Sequence, residues 1–238
     1  MPSPINIAIL GAGIFVKEGE NRTWQHYIEC SLVESSAYIP ALAALGDAAP
    51  ILKAVYSRSE HSARETADVA IDVLRLTSSP KVYHDDDKSS DLDVLLARPD
   101  IDAVIVALPI TLQPSIILKA LHAGKHVLSE KPVAADVQAG ISLIKTYKER
   151  YKQQGLIWRV AENFEAEPGF RAAAEVIRAG KIGRVLQFRA VVENFIDQES
   201  KWYKTAWRTI PDVSFHPRCA IDITDEALVS RGIHSEYY

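Results

Sequence analysis

The sequence predicts an α/β fold: an amino-terminal, doubly wound parallel sheet followed by a second domain of a different kind from about residue 133. Three observations point there. Short apolar runs alternate with helical patterns through the first 150 residues, as in successive βαβ units. One run, AVIVAL (103–108), is apolar without alternation, as in a strand covered on both faces. Beyond residue 180 the run VLQFRAVVENF (185–195) alternates in part, as a half-solvated antiparallel strand does.

The elements follow in order. Residues 5–10 are a strand that runs into Gly11-Ala12-Gly13. Residues 51–56 (ILKAVY) are a second strand, ending in Ser57-Arg58-Ser59, and 61–76 have helical periodicity. KVYH (81–84) is a brief third strand, and 91–97 form a short helix that stops before Pro99. After the 103–108 strand, 114–123 form a helix closed by Gly124. HVLS (126–129) is the next strand and ends at Glu130-Lys131-Pro132; 136–151 form a helix. LIWRVA (156–161) reads as a strand of the second domain, and 169–179 as a helix closed by Gly180.

Composition narrows the function. The chain has 238 residues, 47% hydrophobic and 24% charged, enough for one large domain or two small ones. A net charge of -4 provides no basic field for nucleic acid. No apolar run approaches the roughly 20 residues that span a bilayer, so no membrane partner is expected. The amino terminus lacks a basic n-region, and Cys30 and Cys219 make no disulfide framework, so a reduced, cytoplasmic setting is expected. Neither CxxC nor His-rich spacing occurs, and no metal site is expected.

The turn GAGIFV matches G-x-G-x-x-G/A at Gly11 and Gly13, with Val16 in the third position. Gly11 permits a tight turn, and Gly13 lets backbone amides of the turn, Ile14 and Phe15 included, approach a pyrophosphate. The alternative is a Gly-rich turn without ligand. At the end of the second strand a carboxylate would select NAD by accepting from the ribose 2′-OH. Ser57, Arg58 and Ser59 stand there instead, and a guanidinium with two hydroxyls suits a 2′-phosphate, so NADP is expected over NAD. The alternative is a solvated loop arginine. Lys131 lies at the carboxyl end of a sheet strand, the edge where open α/β sheets bind ligands. A lysine there can hydrogen-bond a substrate oxygen or help move its proton. On composition alone, a surface lysine before a turn proline is the simpler reading.

Taken together, GAGIFV, SRS, DAVIVALPITLQPSIILKALHAGKHVLSEKPVA, AENF and AAAEVIRAGKIGRVLQFRAVVE resemble the Gfo/Idh/MocA oxidoreductases over about residues 4–17 and 37–212. The resemblance implies a Rossmann domain over 1–132 carrying NAD(P). It also implies a carboxyl-terminal α/β domain on a large, mostly antiparallel sheet, present here only over 133–212. Hydride would pass between the nicotinamide and a carbinol or carbonyl carbon of a sugar, polyol or dihydrodiol-like small molecule. Lys131 would be the catalytic lysine of the EKP motif, with Glu130 and Pro132 shaping its turn. Leu108, Pro109 and Gln113 would line the cofactor cleft, and Asn163 would face it from the domain junction. The family's homodimer surface would need the complete sheet. Because members of this architecture also act as cofactor-binding regulators of transcription, a non-catalytic NADP sensor is the alternative.

Two segments depart from the family pattern. Residues 18–36 interrupt the first helix, which resumes at SAYIPALAAL. Gly13 and Arg58 are 45 positions apart; without 18–36 the separation is 26, nearer the usual spacing of about 20. Residues 213–238 stand where the family carries an Asp/His pair; Ser230 occupies the Asp position before Gly232-Ile233-His234, and His234 reads as a solvated terminal histidine. Gly19-Glu20 and Val213-Ser214 can both be encoded by splice-donor-like codons, so the expected reading of both segments is retained intron sequence. That reading makes an inactive, poorly soluble product a further alternative. A tolerated surface insertion and a natural short variant are the other readings.

Overall fold

The structure is a computed structural model that describes residues 4–12, 38–162 and 166–187. Its first unit extends to Ala161. Six strands, β1 (Asn6–Leu10), β2 (Ile51–Tyr56), β3 (Lys81–Tyr83), β4 (Ala103–Val106), β5 (His126–Ser129) and β6 (Trp158–Val160), form one sheet in the order β3-β2-β1-β4-β5-β6. Every pairing is parallel, and Leu10 stands opposite both Tyr56 and Val106. The chain moves outward from β1 to β3, then returns to β4 on the other side of β1. The order therefore reverses between β1 and β4.

Strand alternation sorts the core into two layers. Ile7 and Ile9 of β1, with Leu52, Val55 and Ile105, pack against helices α1 (Tyr38–Ala44) and α2 (Glu60–Leu74). Ala8, Leu10, Val104 and Val106 pack against α3 (Leu92–Leu96), α4 (Gln113–His122) and α5 (Val137–Thr146) on the other face. Burial of both faces explains the unbroken apolar run at 103–106.

Local chemistry sets the helix ends. The Ser59 hydroxyl accepts from the Ser62 amide to start α2, and Arg75 ends it in the left-handed conformation. Gly124 ends α4 at φ 77°, where the Lys125 amide reaches back to the Ala120 carbonyl. The Asp136 carboxylate caps α5 by accepting from the Ala139 amide at 2.8 Å. The expected helix 136–151 is split: α5 gives way to a π turn over Tyr147–Tyr151 and a 3-10 turn over Lys152–Gln154, closed by Gly155.

The structure moves the expected domain boundary. The LIWRVA strand does not open a second domain: β6 joins the parallel sheet beside β5. α5 and the turns after it are the crossover that brings it there. Trp158 secures the join, donating from Nε1 to the buried Ser129 hydroxyl at 2.9 Å and meeting the Tyr147 ring edge-on. The first unit thus ends after Ala161 instead of near 132.

The second unit is described over 166–187 by α6 (Pro168–Arg178), which ends at Gly180, whose amide donates to the Ile177 carbonyl. Residues 185–187, the start of the expected antiparallel strand, are not in a strand. The rest of that strand, the 18–36 segment and the 213–238 tail lie outside the described residues.

Candidate functional site

Parallel strands deliver the ends of β1, β2, β4 and β5 to one edge of the sheet, where the order reverses between β1 and β4. This is the ligand-binding edge of an open α/β sheet. Main-chain bonds carry the ladder into the turns beyond it. The Gly11 amide donates to the Tyr56 carbonyl at 2.8 Å, Ala107 to Leu10 at 2.8 Å, Ser57 to Tyr83 at 3.1 Å, and Glu130 to Val106 at 2.9 Å.

Gly11 sits at φ 127°, and a Cβ there would lie 2.1 Å from the Ala107 carbonyl oxygen. Only glycine allows the backbone after β1 to approach the backbone after β4 this closely. That is the close approach a pyrophosphate-binding turn requires. Gly13, Ile14, Phe15 and Asn163, expected at the cofactor, lie outside the described residues.

Arg58 is exposed in the turn between β2 and α2, and its carbonyl accepts from the Asp85 amide at 3.1 Å. Carboxylates from HDDDK gather next to it. Asp85 accepts from the Tyr56 hydroxyl at 2.9 Å, and Asp86 accepts from the Glu60 amide at 3.0 Å. Burial, then the Asp85 hydrogen bond and charge, push the Tyr56 hydroxyl well above its ordinary range, so it stays a donor. The run of three aspartates just after β3 was the sequence signal for this cluster.

At the ends of β4 and β5, Leu108 packs partly buried on the core, and the Pro109 carbonyl accepts from the Leu112 amide at 2.9 Å. Gln113 is 2% exposed and donates from Nε2 to the Pro132 carbonyl at 3.0 Å. Its Oε1 is buried with no partner among the described residues. Gln113 is therefore first a brace for the Glu130-Lys131-Pro132 turn, whose Lys131–Pro132 peptide is cis.

Glu130 is tied down twice. One carboxylate oxygen accepts from the Tyr38 hydroxyl at 2.8 Å, and the other accepts from the Lys131 amide at 3.1 Å. Lys131 itself is exposed. Burial, reinforced by Glu130, raises the Tyr38 hydroxyl far above its ordinary range. Sequence reasoning missed Tyr38, although it lies in the SAYIPALAAL run that was read as helix. The structure thus brings Gly11, Ser57, Arg58, Leu108, Pro109, Gln113, Glu130 and Lys131 to one edge. Among the described residues no cluster of His, Cys, Asp or Glu could hold a metal ion, and no helix is long and apolar enough to cross a membrane. A surface hollow of about 730 Å³ lies at the opposite edge, bordered by Ile51 and Leu74.

Known proteins share this fold. Residues 5–156 match the family described as "Oxidoreductase family, NAD-binding Rossmann fold". Dehydrogenase FPY6 of Fusarium mangiferae is 40% identical over 211 residues, covering 87% of this chain and 52% of its own length. An oxidoreductase from Thermotoga maritima superposes with a TM-score of 0.64 at 27% identity, over 88% of this chain and 53% of the other. A 3-ketoreductase mutant from Actinomadura kijaniata, solved in complex with TDP-benzene and NADP, superposes with a TM-score of 0.51 at 26% identity, over 77% and 45%. The chain spans about half the length of these proteins. With its nucleotide-binding half matched from β1 to the turns before β6, the chain belongs to the Gfo/Idh/MocA family of oxidoreductases.

Proposed function

We propose that this chain is built to bind NADP and to transfer hydride between its nicotinamide and a carbinol or carbonyl carbon of a sugar, polyol or dihydrodiol-like substrate. The observation that carries the reading is the placement of a braced Glu130-Lys131-Pro132 turn at the same sheet edge as Gly11. The Gly11 cradle, which a Cβ would fill, fits a dinucleotide pyrophosphate. The adenosine half would lie toward Ser57 and Arg58, where the guanidinium and the serine hydroxyl bind a 2′-phosphate. The nicotinamide half would lie toward Leu108, Pro109, Gln113 and Glu130.

When bound, the nicotinamide supplies or accepts the hydride. Lys131 donates a hydrogen bond from Nζ to the substrate oxygen. In the reduction direction it favours the negative charge that develops there. Glu130 holds the Lys131 amide, so the turn that carries the lysine is fixed before substrate arrives.

The test is a thermal melt of the purified chain with NADPH and with NADH, followed by cofactor oxidation and reduction with a panel of sugars and polyols. A larger shift with NADPH, together with turnover that Lys131→Ala removes, is the expected result. A shift without turnover favours the cofactor-binding regulator; no shift with either cofactor defeats nucleotide binding itself.

A further inference from the structure

Tyr38 lies in the first turn of α1, while Glu130 lies 92 positions later at the end of β5. Their hydrogen bond is 2.8 Å long and part-buried. The same carboxylate accepts from the Lys131 amide through its second oxygen. A hydrogen-bonded chain therefore runs from the α1 hydroxyl through a carboxylate to the backbone of the EKP lysine. A carboxylate accepting from one neighbour alone could rotate about its terminal torsion; accepting on both oxygens defines its plane. On the far side of the turn, Gln113 holds the Pro132 carbonyl. The turn is thus gripped at Glu130 from α1 and at Pro132 from α4.

We propose that Tyr38 is a positioning residue that acts through Glu130: its hydroxyl sets the geometry of the Glu130-Lys131 turn, and thereby the grip of that turn on the nicotinamide half of the cofactor. The cofactor clause rests on the function proposed above. The adenosine half would sit at the end of β2, three strand spacings from β5, roughly 14 Å away. Tyr38 therefore affects the two halves of the nucleotide unequally.

The test uses the full chain and its Tyr38→Phe variant, which keeps the ring and removes the hydroxyl. Affinity is measured for NADPH and for 2′,5′-ADP, which carries only the adenosine half, and amide hydrogen exchange is followed in the peptide containing Lys131. The expected result is about tenfold weaker NADPH binding with unchanged 2′,5′-ADP binding, the cost of one hydrogen bond to a charged group. Exchange at Lys131 is faster, and exchange across β1 and β4 is unchanged. Tyr38→His, which can restore an N–H donor, recovers part of the NADPH affinity. Equal weakening of both ligands with faster exchange throughout the sheet would make Tyr38 a brace of the fold only, and would overturn the proposal. So would unchanged affinities and unchanged exchange. If the parent chain binds neither ligand, the functional reading fails by itself, and the exchange comparison still decides whether Tyr38 holds the turn.

Discussion

The Tyr38 hydroxyl donates to the Glu130 carboxylate across 2.8 Å, joining the first described helix to the turn that carries Lys131. Burial foremost, then the charge of Glu130 and the hydrogen bond to it, hold the phenol protonated beyond its ordinary value of 10.0. Tyr56 is raised in the same direction, first by burial and then by Asp85. A folded chain keeps both protons where an unfolded chain loses them. The stabilisation is complete below about pH 10 and is lost as pH rises above it. Urea unfolding from about pH 9 to about pH 11 should show a falling midpoint, with a flatter profile in the Tyr38→Phe/Tyr56→Phe double variant. An equally steep fall in the double variant would assign the alkaline limb to other groups.

Gly11→Ala should be among the most damaging single substitutions. Its Cβ would overlap the Ala107 carbonyl oxygen at 2.1 Å, and φ 127° is a conformation that L side chains rarely adopt. The expected loss is about 3 kcal/mol or more, because both backbone strands are held by the sheet and cannot part cheaply. Chemical denaturation reads this directly. A loss below about 1 kcal/mol would mean that the two turns separate easily.

Arg58→Ala tests the cofactor preference with little effect on the fold, since the side chain is exposed. Loss of a charge-assisted contact to a 2′-phosphate should weaken NADPH binding about 10- to 100-fold and leave NADH binding nearly unchanged. The neighbouring carboxylates Asp85 and Asp86 sharpen the test. Asp85 accepts from the Tyr56 hydroxyl and Asp86 from the Glu60 amide, beside the turn that carries Arg58. Equal affinity for NADPH in parent and variant would show that these carboxylates cancel Arg58.

The legible part of this molecule is what repeats. Apolar runs marked β1 and β4 most clearly, because a strand buried on both faces leaves a signal that needs no partner to interpret, whereas the short edge strands β3 and β6 carry the exposed Lys81 and Arg159. Gly11 and the Glu130-Lys131-Pro132 turn were readable because strand ends in a parallel sheet share an edge. The domain boundary was misplaced since LIWRVA has the same local pattern in either domain. Only the Trp158–Ser129 bond and pairing with β5 assign it to the first sheet. Gln113 was read as a cofactor residue, while its amide is also spent on the Pro132 carbonyl. Tyr38 was missed because its partner lies 92 positions away and no spacing rule links a helix start to a turn beyond four strands.

Lys125 offers a final prediction, away from the cofactor edge. It is 6% exposed, and its Nζ donates to the Arg98 carbonyl at 2.6 Å and the Ile101 carbonyl at 2.9 Å. Those two carbonyls flank the bend that leads from α3 into β4. Burial pulls the ammonium below its ordinary range, opposed by the charges of Asp102 and Asp100. Lys125→Met keeps the aliphatic stem but leaves both carbonyls without the ammonium donor. Loss of about 2 kcal/mol is expected, since the carbonyls remain desolvated once the donor is gone. The urea midpoint should fall while the ratio of NADPH to NADH affinity stays fixed, because the residue precedes β5 at the opposite end from Glu130. A change below about 0.5 kcal/mol would mean that solvent or a shifted side chain takes over both carbonyls. A changed cofactor ratio would mean that the bend before β4 is coupled to the nucleotide edge through the strand itself.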